Sequence, residues 1–257
     1  MAEDSRALVV AAAQVHVHAD LEDNLQRILA ALDEAAALGA RVIVLPETAL
    51  TGYSPNIGHG RDPSEWPAIQ RALDAIAARC ATRRVWAALG SEAWDGDAWV
   101  NRYYALSPEG DVAATYDKVH LTSADTDYYR PGTEAPAVFD LDGVRAGLQI
   151  CYDARFPEGY RALLHQGVEV ILQGFYGAAT GDTWKVPVLA AHIRSRAAET
   201  GCFVVASNVA GPLQIVVSQV ADPLGLILAQ ANQDREEIIT ATLALRRVAE
   251  SEIRNDY

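Results

Sequence analysis

The chain has 257 residues, of which 50% are apolar and 21% charged, and a formal net charge of −13. That length buries a large core, while the acidic balance leaves no basic face for nucleic acid. Three widely spaced cysteines make no disulfide framework and fit a reducing compartment. No apolar run approaches the roughly 20 residues of a membrane span, so a cytoplasmic protein that needs no membrane partner is expected.

In chain order, "ALVVAAA" comes first. It is short and follows Glu3 and Asp4 where a signal peptide would carry basic residues, so it reads as a strand. "LEDNLQRILAALDEAAALG" places Leu21, Leu25, Ile28, Leu29 and Leu32 on one helical face, with Asp20 as N-cap and Gly39 as the stop. The β-branched run "ARVIVLPE" follows at once. The same succession of helix, glycine and apolar strand returns in "EGYRALLHQG" with "VEVILQG", and in "LAAHIRSRAAETG" with "CFVVASN". Strands of this kind are covered by helices.

Between these units the pattern changes to hairpins. "WVNRYYALSPEGDVAATYDKVHL" predicts two strands about a Pro-Glu-Gly-Asp turn, and "AVFDLDGVRAGLQI" a type I′ hairpin at Asp142-Gly143. "QIVVSQVADPLGLILAQA" predicts another strand pair about Pro223 and Gly225, followed by a strand in "EEIITATLAL". No Pro/Gly/Ser-rich linker divides the chain. A single α/β domain over residues 1–257 is therefore expected, with mixed sheets sandwiched between helical layers. "GYSPNIGHGRDPSEWP", residues 52–67, is the expected loop over a site.

Three residues of chemical interest stand where strands end, the place where sites gather in α/β sheets. Glu47 follows Pro46 at the end of "VIVL"; Lys118 closes "VAATYD"; Cys151 follows "AGLQI" and precedes Tyr152, Asp153, Arg155, Phe156 and Pro157. Each has an ordinary alternative, a solvated acid, a solubilising lysine or a packed thiol. A nucleophile on a sharp strand-to-helix turn would have the texture that follows Cys151, and a lysine beside it would stabilise an oxyanion or favour the thiolate. Cys80 at a helix end and Cys202 at a strand start read as structural. His16 and His18 form a possible metal pair without a third ligand, so no metal is expected. Cys151, His192 and Asn208 have a papain-like order, but His192 falls inside a predicted helix. No phosphate loop is present.

Taken in order, "AAAQ" with Asn24, "VIVLPETALTGY", "YDKVHL", "RPG", "GLQICYDARFPE" and "RSRAAETGCFVVASN" resemble the carbon–nitrogen hydrolase (nitrilase) superfamily over nearly the whole chain. The resemblance implies a four-layer αββα sandwich with two mixed sheets that pairs into a homodimer or a higher homo-oligomer. It implies a Glu47–Lys118–Cys151 triad, no cofactor, and hydrolysis of a small-molecule amide through a Cys151 thioester. In that scheme Glu47 is the base, and Lys118 with the Tyr152 backbone N–H holds the oxyanion. The lysine would also let the thiol ionise near neutral pH.

This chain departs from that pattern in two ways. Cys-Tyr-Asp stands where nitrilases commonly have Cys-Trp-Glu, which favours amides over nitriles. Where many relatives carry a second glutamate this chain has "SADTDYYRPG", so Asp125, or Asp127 close behind, is the expected counterpart. Tyr53, Tyr152, Phe175, Tyr176 and Trp184 are the expected substrate-binding residues, the last three from residues 172–184. Nitrile or N-carbamoyl hydrolysis and a catalytically silent dimeric binding protein are the alternatives.

Overall fold

The computed structural model describes residues 6–133, 135–178 and 184–255. Twelve strands run in chain order: β1 (Ala7–Gln14), β2 (Val42–Val44), β3 (Trp86–Trp94), β4 (Trp99–Leu106), β5 (Val112–Asp117), β6 (Val138–Leu141), β7 (Val144–Ile150), β8 (Val170–Gly174), β9 (Phe203–Ser207), β10 (Gln219–Ala221), β11 (Ile227–Gln230) and β12 (Glu237–Ala244). The helices among them are α1 (Leu21–Ala37), α2 (Ser54–Ile57), α3 (Trp66–Arg83), α4 (Pro157–His165) and α5 (Lys185–Thr200). Two short helices, Arg246–Ala249 and Glu252–Asn255, follow β12.

The strands form two six-stranded mixed sheets, ordered β12-β1-β2-β3-β4-β5 and β11-β10-β9-β8-β7-β6. Side-chain alternation sorts each strand between two cores. In β1, Leu8, Val10 and Ala12 join Ala146, Leu148, Ile150, Leu172 and Val205 in a core between the sheets. The intervening Ala11 and Ala13 meet Leu25, Ile28 and Leu32 of α1 and Ile69 and Ile76 of α3. On the far side, Ile171 and Val204 meet Tyr160 and Leu163 of α4 and Ile193 and Ala197 of α5. The layers are thus helix, sheet, sheet, helix, the αββα sandwich that the sequence resemblance implied.

Local signals account for many boundaries. The Asp20 side chain accepts from the Asp23 N–H at the start of α1, and Gly39 leaves the helix at φ +79°. Asp142 and Gly143 turn the β6–β7 hairpin at φ +54° and +85°, the signs a type I′ turn demands. "QIVVSQV" differs from expectation: only Gln219 onward is strand, and Gln214 makes a single bridge to Ala178. "EEIITATLAL", as β12, leaves its neighbours in sequence and crosses to the first sheet, pairing antiparallel with β1 from Ala7↔Ala244 to Gln14↔Glu237. The final strand thereby ties the two sheets together.

Two glycines allow the sheets to close on the end of β2. A Cβ on Gly90 of β3 would lie 2.2 Å from the Thr48 nitrogen and 2.7 Å from the Glu47 Cα. A Cβ on Gly174 of β8 would meet the Tyr103 ring at 2.5 Å and the Glu47 nitrogen at 2.8 Å. Glu47 is therefore clamped from both sheets, and Thr48 after it takes a left-handed φ of +49°. Gly90→Ala forces backbone against backbone and should cost at least about 1–3 kcal/mol, the usual penalty of overpacking. Thermal unfolding should show a clearly lowered Tm for Gly90→Ala and a near-unchanged one for Gly60→Ala, where the nearest atom is 3.7 Å away. Equal Tm values for the two would contradict the clamp.

Candidate active site

The three strand ends singled out in the sequence converge. Lys118 follows the end of β5 and is 1% exposed, far from the solvated lysine of the ordinary reading. Its Nζ donates to Glu47 Oε1 at 2.7 Å and to Asp125 Oδ2 at 2.9 Å. Glu47 and Asp125 are themselves 1% and 0% exposed, so all three charges are withdrawn from water together. Cys151 is half-buried at the end of β7, and its φ of +37° marks a sharp turn into the 3-10 segment Cys151–Arg155. The first N–H groups of such a turn have no partner within it, and that of Tyr152 is among them.

Further donors fix the two acids. Asn101 Nδ2 donates to Glu47 Oε1 at 2.7 Å, and the Tyr176 backbone N–H donates to Glu47 Oε2 at 2.8 Å. With Oε1 already accepting from Lys118, Oε2 is the less occupied oxygen and the better proton acceptor. Asp125 opens a 3-10 turn, Asp125–Asp127; it accepts the Thr122 N–H at 2.8 Å and the Tyr53 hydroxyl at 2.6 Å. The Tyr53 ring stacks on Tyr176 with centroids 4.8 Å apart. A second buried pair, Arg61 with Glu92 at 2.6 Å, braces the 52–67 loop that carries Tyr53.

Burial opposes the charge on Lys118, but Glu47, Cys151 and Asp125 outweigh it and hold its pKa well above the ordinary lysine value. Asp125 is held below the usual carboxylate range: burial works against its charge, and Lys118 and the Tyr53 hydroxyl prevail. Burial pushes the Cys151 thiol up, the charge on Glu47 pushes it further, and Lys118 only partly offsets them. Lys118 thus favours the thiolate as expected, but burial and Glu47 outweigh it. The cation is already shared between two carboxylates, which limits what it does for the thiol.

A cavity of about 350 Å³ opens over the cluster, lined by Cys151, Lys118, Tyr53, Tyr152, Tyr176 and Trp184 among others. Phe175 is not among them: it is fully buried with Ile171 and Ile193, because the alternation of β8 continues past Gly174 and turns Tyr176, not Phe175, toward the cavity. The expectation of Phe175 as a substrate-binding residue is thus overturned, although its carbonyl accepts the Glu47 N–H. Residues 179–183 of the same expected pocket segment lie outside the described residues. Asp127 is exposed, and the turn that exposes it is a 3-10 helix, not an extended piece.

Cys80 and Cys202 are buried in the cores. Asn208 of the papain-like order spends its side chain on the backbone of Gly177 and Val216. Among the described residues no group of three or more His, Cys, Asp or Glu could hold a metal ion. Sequence reading missed Asn101, whose one available signal is an asparagine inside an apolar strand.

The chain matches the carbon-nitrogen hydrolase family over residues 9–252. It is 30% identical over 228 residues to the deaminated glutathione amidase of Bos taurus, covering 79% of this chain and 65% of that protein. It is 31% identical over 183 residues to the 2-oxoglutaramate amidase of Bacillus subtilis, covering 67% and 64%. The chain thus spans just under two thirds of the length of these curated relatives. In fold it resembles the nitrilase-superfamily amidase from Nesterenkonia sp. AN1, solved as a double mutant with acrylamide, at a TM-score of 0.82 and 22% identity over 97% of this chain and 94% of that one. Sequence, fold and family match agree: the chain belongs to the carbon-nitrogen hydrolase family.

Proposed function

We propose that the protein is an amidase-type carbon–nitrogen hydrolase, a single domain that converts a small linear amide to its acid and ammonia or an amine. The observation that carries this reading is the buried Lys118 ammonium, bonded to Glu47 and Asp125 at the floor of the cavity that Cys151 also lines. Glu47 takes the thiol proton as sulfur attacks the amide carbon. Lys118 and the Tyr152 N–H receive the negative charge that develops on the carbonyl oxygen. The proton now on Glu47 passes to the leaving nitrogen, the C–N bond breaks, and a thioester remains on Cys151. Glu47 then deprotonates a water that attacks the thioester; the acid leaves and the returned proton restores the thiol. Asp125 keeps Lys118 charged and in place.

Cys151→Ala should abolish ammonia release with the circular dichroism spectrum unchanged, while Cys80→Ala and Cys202→Ala keep most of the activity. Appreciable turnover by Cys151→Ala would refute the assignment. Lys118→Met removes an oxyanion donor and should cost about 100- to 1000-fold in kcat, and Glu47→Gln, unable to accept a proton, about 100-fold or more. Near-normal rates in either would remove that residue from the chemistry.

Asp125→Asn keeps the shape but leaves Lys118 with one carboxylate, and should lower kcat strongly. The exposed Asp127→Asn should stay close to the parent rate. Steady-state kinetics of the two decide between them, and equal rates would return Asp125 to a structural role.

We further infer a homodimer or higher homo-oligomer, formed around α4 and α5. Exposed apolar side chains support this: Val186 on α5 is 43% exposed, and Leu224 and Leu226 are 61% and 52% exposed on the turn whose Gly225 carbonyl accepts from Arg194 of α5. Arg196 of α5 is turned inward, its Nε donating to the Ala154 carbonyl. Sedimentation at micromolar concentration should report a dimer or more; a fully active monomer would contradict it.

A further inference from the structure

Glu92 is a buried carboxylate that takes no part in the proposed proton transfers. It lies on β3, a strand paired on both sides by β2 and β4, and is 1% exposed. Its Oε1 accepts the Ser54 N–H at 3.1 Å and the Tyr129 hydroxyl, and its Oε2 accepts Arg61 Nε at 2.6 Å. Glu92, Arg61 and Tyr129 are not among the residues lining the cavity. A buried carboxylate is costly unless donors of this kind meet its charge, and bonds to an ionised acceptor are about twice as strong as neutral ones. Burial and the charge of Glu92 keep the Tyr129 hydroxyl protonated, as a donor.

The donors come from two separate loops. Ser54 and Arg61 belong to the 52–67 loop, and Tyr129 follows the 3-10 turn Asp125–Asp127. Each loop carries a group of the site beside its contact with Glu92. Tyr53 precedes Ser54, and the Tyr129 N–H donates to the Asp125 carbonyl at 2.9 Å. The Tyr53 hydroxyl then donates to Asp125 Oδ1 at 2.6 Å. Glu92, Ser54, Tyr53, Asp125 and Tyr129 thus close a ring of covalent and hydrogen bonds, whose far side is the acid that holds Lys118. Tyr53 extends the ring toward the other acid, stacking on Tyr176, whose N–H donates to Glu47.

We propose that Glu92 is a positioning residue for the hydrolysis: one buried charge on a paired strand fixes both loops, so that Tyr53 and Asp125 keep their places over Lys118. The effect on rate rests on the amidase reading; the bracing of the loops does not.

Two measurements test this. The first is hydrogen exchange read by mass spectrometry, comparing wild type with Glu92→Gln, which keeps the shape of the side chain and removes its charge. Peptides over residues 52–62 and 122–130 should lose protection together, with those of β7 and β8 unchanged. The second is steady-state kinetics: kcat should fall by about 10- to 100-fold, the scale of a small misplacement of reacting groups, with KM changed much less. In a Tyr53→Phe background the same substitution should cost far less, because the ring is already cut. A reduced folded fraction would instead cost the same factor in both backgrounds. If Glu92→Gln does not fold, Tyr129→Phe, which removes a single hydroxyl, goes through the same measurements with the same expectations. Unchanged exchange in either segment, an unchanged kcat, or an equal cost in the two backgrounds overturns the positioning role. Ammonia release by wild-type protein tests the amidase reading apart from this. Normal hydrolysis by Glu92→Gln would leave the amidase standing and the brace refuted. Coupled loss of protection in a protein that hydrolyses no amide would refute the amidase and leave a brace without its reaction.

Discussion

The site depends on one buried cation. An ammonium taken out of water is costly unless it is paired and hydrogen-bonded, and Lys118 is 1% exposed. It is tolerable only because Glu47 and Asp125 both reach it. The pairing is mutual, since two buried carboxylates without the lysine would repel each other. Removing Lys118 would leave two buried carboxylates uncompensated, and removing either acid would take from the lysine one of its two partners. The same arrangement bears on the thiol: burial and Glu47 push the Cys151 pKa up, and the shared lysine only partly offsets them.

The scaffold explains how three distant segments meet so closely. Glu47 stands where β2 ends, and its backbone is pressed between Gly90 of one sheet and Gly174 of the other. Lys118 is delivered by the hairpin β4–β5, its backbone N–H bonded to the Asn101 carbonyl while the Asn101 side chain holds Glu47. The loops behind Lys118 and Cys151 are joined by Asp153, which accepts from the Tyr116 hydroxyl and from the His120 N–H, each at 3.0 Å. The three groups are thus set by backbone register and by buried polar contacts, the kind of support that would hold a reacting geometry tightly.

Much of this was legible in the sequence, for physical reasons. Helical periodicity, terminal glycines and β-branched runs are local, so α1, α4 and α5 and the strands beside them could be read directly. Asp142-Gly143 marked its hairpin because few other pairs accept two positive φ values. Glu47, Lys118 and Cys151 each had an ordinary reading at its strand end, and the family resemblance joined them. What escaped depends on side-chain direction and on long-range pairing. Phe175 and Tyr176 are adjacent aromatics, and only the observed alternation of β8 says which one faces the cavity. The crossing of β12 to β1, the turn that buries Asp125 and exposes Asp127, and the two contacts of Asn101 join segments far apart in the chain, and no local pattern encodes them.

The central claim, that Cys151 attacks the amide with Lys118 stabilising the oxyanion, is tested most directly by trapping the intermediate. Wild-type protein mixed with a small amide, quenched in acid within the first turnovers and analysed by peptide mass spectrometry, should carry the acyl group on the Cys151 peptide. The adduct should be lost when Lys118 is replaced by Met. Ammonia release with no acyl group on Cys151, or an adduct that forms as readily without Lys118, would contradict the account.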